Sequence, residues 1–128
     1  MRCLFWRIAV VVPFLTGCFP MRIIERPGLT GTVVSASSSL PISGANVVLG
    51  ASHSNRGAGT SSTDVEGHFT IAPIRRWILY IVPMDLMGFS GNIQIEASGY
   101  SPIKRPLISQ AQGPISIDVG TIALVRVP

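Results

Sequence analysis

After position 18 this chain never sustains a helical period. Short β-branched and apolar runs recur instead, each closed by glycine, proline, serine or aspartate. Such a chain must fold as short strands joined by turns. The runs are 30–36 (TGTVVSA), 45–50 (ANVVLG), 59–63 (GTSST), 68–73 (HFTIAP), 91–97 (GNIQIEA), 102–108 and 115–127. Alternation directs Phe69 and Ile71 to one face, and Ile93 and Ile95 to one face. Between the third and fourth runs, Asp64-Val65-Glu66-Gly67 has the chemistry of a tight turn, with an aspartate to bond nearby backbone and a glycine to take positive φ. With 47% hydrophobic and 12% charged residues the chain has the means to pack a core. The pattern predicts an all-β fold: a sandwich of about seven antiparallel strands.

The amino terminus carries a different signal. Residues 1–7 hold Arg2 and Arg7 and no acid, and 8–16 (IAVVVPFLT) is apolar. A run this short does not span a bilayer, which takes about 20 residues. A positive start followed by a short apolar stretch is the pattern of a secretory signal peptide. Leu15-Thr16-Gly17-Cys18 then resembles the lipobox of bacterial lipoproteins. The resemblance implies cleavage before Cys18, with Leu15, Thr16 and Gly17 read by the lipoprotein signal peptidase. The Cys18 thiol takes a diacylglycerol group, and the freed amine is acylated. Lipid burial contributes about 0.8 kcal/mol per CH₂, so two or three chains hold firmly. Phe19 stands where an aspartate would favour retention in the inner membrane, so the expected location is the envelope of a bacterium, on the periplasmic face of the outer membrane where one exists.

The chain divides accordingly into a leader, 1–17, a lipidated terminus and tether, 18–28, and a sandwich, 29–128. The tether reading rests on two prolines and no period in 19–28 (FPMRIIERPG). Cys3 falls in the leader and Cys18 at its end, so the exported domain has neither disulfide nor free thiol and relies on its apolar core. Removing Arg2 and Arg7 leaves eight basic against six acidic residues. That balance does not point to nucleic acid.

The domain resembles the carboxypeptidase regulatory-like domain, a transthyretin-like β-sandwich. Five motifs carry the resemblance, in order: Gly31-Thr32-Val33, 41–49 (PISGANVVL), 62–69 (STDVEGHF), Ala97-Ser98-Gly99-Tyr100 and 118–124 (DVGTIAL). Each has a structural reading. Gly44 turns the chain so that Ala45, Val47 and Leu49 point inward, the turn at Asp64 and Gly67 sets a hairpin, and Tyr100 covers one end of the sandwich. The resemblance implies an accessory or binding module without catalysis of its own.

One segment departs from the family pattern. Residues 74–90 (IRRWILYIVPMDLMGFS) intervene where the family turns quickly. As a strand, Trp77, Leu79 and Ile81 share one side and Ile78, Tyr80 and Val82 the other, both apolar. An elongated core strand or hairpin packed on the domain is the favoured reading. The other is a contact surface for an envelope protein or lipid headgroups, with Trp77, Tyr80 and Phe89 as its anchors.

No residues assemble into recognisable chemistry. Gly88-Phe89-Ser90-Gly91 misses the spacing of a nucleophile elbow. His53 and His68 are fifteen positions apart with no thiol partner, which fits no zinc spacing. Asp64 and Glu66 lack the D-x-D-x-D-G order of a calcium loop. Arg75-Arg76 is a short basic pair. The expectation is a non-catalytic lipoprotein with no cofactor, no metal and no identifiable small-molecule ligand. A subunit of a secretion or adhesion assembly is the second reading, and an unidentified hydrolase the third.

Overall fold

The computed structural model describes residues 19–51, 58–80, 88–109 and 114–128. Leu15, Thr16, Gly17, Cys18 and His53 lie outside the described residues, so the leader, the lipidation site and its recognition residues are not placed. The strands are β1 (Phe19–Arg26), β2 (Gly28–Ser35), β3 (Asn46–Ala51), β4 (Gly59–Ser62), β5 (His68–Ile71), β6 (Ile74–Tyr80), β7 (Phe89–Glu96), β8 (Ile103–Ser109) and β9 (Ser116–Leu124). Among the described residues there is no helix. The protein is all-β.

Alternation does the folding. In β5 His68 and Thr70 are exposed while Phe69 and Ile71 are buried. In β7 Phe89, Ile93 and Ile95 point inward. Ala45, Val47 and Leu49 are fully buried, as expected. Three strands pair in the order β5-β2-β9 and four in the order β4-β3-β7-β8. Their inner faces form one cluster, with Leu29, Val33, Phe69 and Ile122 from the first sheet and Val47, Leu49, Ile93 and Ile95 from the second. Among the described residues, every member of this core lies between Leu29 and Leu124. Tyr100 is half-buried against this cluster at one end. Thr63 ties the long β2–β3 connection down: its buried hydroxyl donates to the Ile42 carbonyl at 2.6 Å and accepts from the Ala45 amide at 2.9 Å.

Two expectations are corrected, while the strand count holds: the two packed sheets contain seven strands among the described residues, and β1 and β6 lie outside them. The sandwich is not wholly antiparallel, because β2 and β9 run parallel. And 19–28 is not a plain tether, because Phe19–Arg26 pairs antiparallel with β6 to form a separate two-stranded ribbon. Its prolines did not forbid this. Pro20 is the second described residue of a strand that has one partner among the described residues, an edge position where proline is tolerated, and Pro27 falls just beyond its end.

The parallel pair contains a device that explains the DVG motif. Thr30 pairs with Asp118 but Thr32 pairs with Thr121, so β9 carries one extra residue at Val119–Gly120. Gly120 has φ +69°, and its amide donates to Asp118 Oδ1 at 2.9 Å. Such a bulge reverses the side-chain parity beyond it. Ile117 and Val119 pack on the core before it, and Ile122 and Leu124 after it. Without the extra residue Ile122 and Leu124 would face water.

Candidate functional site

The β1–β6 ribbon carries the largest exposed apolar side chains that cluster together. Directly opposed residues of an antiparallel pair share a face. One face therefore presents Pro20 with Leu79, Arg22 with Trp77, and Ile24 with Arg75. Trp77 is 65% exposed and Leu79 69%. The Arg22 guanidinium lies 5.8 Å from the centre of the Trp77 ring. The opposite face holds Met21 with Ile78, and Ile23 with Arg76. Met21, Ile23 and Ile78 are half-covered and Arg76 is exposed.

The ribbon is fixed at its base by Arg26. This side chain is 6% exposed. Its guanidinium donates to the carbonyl of Ala58, just before β4, and to that of Ala72, just after β5. Among the described residues its Nε has no partner. Burial pushes its pKa below the usual arginine value. Arg22, Arg75 and Arg76 differ: no carboxylate of the described residues pairs with them, and the ion pair that does occur there, His68 with Glu66 at 3.5 Å, lies elsewhere.

These placements divide the residues singled out from the sequence. Trp77 is not core, which removes the core-strand form of the favoured reading: it is 65% exposed on β6, whose hydrogen-bonded neighbour among the described residues is β1. Phe89 lies in the core, away from the ribbon's exposed face. At 6% exposure it starts β7 inside the core, and its partner across β8 is the buried Ser109. Tyr80 pairs with Phe19 at the ribbon's far end, and its side chain lies outside the described residues, as do Ile81 and Val82. Ser90 is exposed on β7 and His68 on β5, strands of different sheets. Asp64 is a turn residue: its Oδ1 accepts from the amides of Glu66 and His68, both at 2.9 Å. Among the described residues no three His, Cys, Asp or Glu cluster to hold a metal.

Sequence reasoning missed Arg22 and Arg26, both inside the supposed tether. A signal was present. MRIIER and IRRWILY both mix isoleucine with arginine, a composition that suits two strands pairing with one apolar and one solvated side.

No protein-family model and no curated protein matches the chain. Among solved structures it is similar to 3-chlorocatechol 1,2-dioxygenase from Rhodococcus opacus 1CP, at 14% identity and a TM-score of 0.48, over 78% of this chain and 60% of that one. It is also similar to chlorocatechol 1,2-dioxygenase from Pseudomonas putida, at 12% identity and a TM-score of 0.45, over 84% of this chain and 60% of that one. The chain thus spans less than two thirds of either protein. Likenesses this distant carry no argument about chemistry.

Proposed function

We propose that this chain is the precursor of a bacterial lipoprotein, cleaved before Cys18 and held on a membrane by lipids on that cysteine. Its β-sandwich is a structural or interaction module, similar to the carboxypeptidase regulatory-like domain and without catalysis of its own. The observation that carries the reading is the tetrapeptide Leu15-Thr16-Gly17-Cys18 at the end of a short apolar run. The absence of aspartate at position 19 favours the outer membrane in a cell that has one. The test is metabolic labelling with palmitate. The wild-type protein takes up label and Cys18→Ala does not, accumulating as a longer precursor. Label in the variant, or a mature amino terminus elsewhere, overturns the proposal.

A second reading, a subunit of an envelope assembly, draws on the exposure of Trp77 and Leu79. Its contact surface would be the ribbon and would exclude Phe89. Among the described residues none is placed to support the hydrolase reading, with Ser90 and His68 on different sheets.

A further inference from the structure

The ribbon poses a question the anchor does not answer. It presents a tryptophan, a leucine and arginines without a carboxylate partner among the described residues on one exposed face, on strands close in the chain to Cys18. We propose that this face, with Arg22, Trp77, Arg75 and Leu79 at its centre, docks on the anionic surface of the bilayer that holds the lipids of Cys18. The inference rests on the lipid-anchor reading and extends it from attachment to orientation.

Position is the first argument. Phe19, the first described residue of β1, follows Cys18 directly in the chain. Strand residues rise about 3.3 Å each, which puts the Arg22–Trp77 rung within about 13 Å of Cys18 along the chain. Each polar layer of a bilayer is roughly 5–7 Å thick. A strand rooted in that layer and carrying its own apolar face is held where a membrane is the nearest surface.

Chemistry is the second. Tryptophan prefers the membrane–water boundary, where its ring meets acyl chains and its N–H meets water or headgroups. Leu79, one rung nearer the anchor on the same face, adds apolar area. Arg22 and Arg75 flank these residues and can take lipid phosphates by paired hydrogen bonds. Arg76 adds a third positive charge from the other face.

Charge is the third. Glu25, the one acid of the two strands, is half-buried at the register shift. The ribbon thus presents a positive field to its surroundings, with no carboxylate of the described residues to neutralise it. A protein hot spot can also use tryptophan and arginine, but it does not require a place beside a lipid anchor.

The leader contains Trp6, so Trp77 is the sole tryptophan of the mature chain and reports on this face alone. The test uses the mature chain from position 18 with Cys18→Ser, which carries no lipid. Vesicles of phosphatidylcholine containing phosphatidylglycerol should shift the Trp77 emission to the blue and sediment the protein, while phosphatidylcholine alone should not. Arg22→Gln and Arg75→Gln, at exposed positions without ion pairs, should each weaken binding about fivefold. Added salt should weaken it further. Unchanged emission with anionic vesicles overturns the proposal, as does equal binding to neutral vesicles or full binding by the two arginine variants. A crosslink from position 77 to an envelope protein, with vesicles leaving the emission unchanged, transfers the face to a protein partner and also overturns it. Palmitate labelling reports on Cys18 alone and the titration uses unlipidated protein, so either idea can fail without the other.

Discussion

Arg22 on β1 holds its guanidinium over the face of Trp77, 5.8 Å from the ring centre, across one rung of the ribbon. Both side chains stand in solvent. A cation over an exposed ring contributes about 0.5–1 kcal/mol, far less than burial of the ring would.

Trp77 and Phe89 should therefore respond oppositely to truncation. In the mature chain carrying Cys18→Ser, Trp77→Ala should cost no more than about 1 kcal/mol. Phe89→Ala should cost about 3–5 kcal/mol, because it empties a core position. Thermal melts of the two proteins decide the matter. Equal losses would mean that β6 is covered after all.

Arg26 should behave as a structural pin. Arg26→Met keeps the length of the side chain but leaves the Ala58 and Ala72 carbonyls without their donors. The expected cost is about 2–3 kcal/mol, with faster amide exchange along β1 and β6. Arg76→Met, at an exposed position without an ion-pair partner among the described residues, is the control and should change little. If both variants melt together, the ribbon is not held through Arg26.

Gly67 supplies the sharpest backbone test. It has φ +76°, and a side-chain carbon there would lie 2.5 Å from the Val33 carbonyl oxygen, where nothing can move aside cheaply. Strain alone costs about 1–3 kcal/mol, and the collision adds to it. Gly67→Val should lower the denaturation midpoint by at least that equivalent. A midpoint equal to wild type would show that the turn between Asp64 and His68 does not adopt this conformation.

Local patterns were legible where each decision involves only near neighbours. Alternation at Phe69 and Ile71 predicts their burial, and Asp64 with Gly67 predicts a turn closed by Asp64 Oδ1 on two amides. The tether failed for a related reason. Nothing within 19–28 alone makes a strand, since its partner β6 lies about fifty residues away and pairing decides the outcome.

The sequence by itself determined that this chain is built of short strands, where most of them lie and which side chains of β3, β5 and β7 form the core, because period-two alternation and turn chemistry are local properties. Tertiary structure alone decided three things. It set β9 parallel to β2 and used the bulge at Gly120 to bring Ile122 and Leu124 inward, a choice of register invisible to a simple count of alternation. It made a strand of Phe19–Arg26. And it sorted Trp77 from Phe89. Both are aromatic residues of one apolar stretch, and burial depends on whether a second sheet lies opposite. Phe89 has one, and Trp77 has only the β1 strand at its edge.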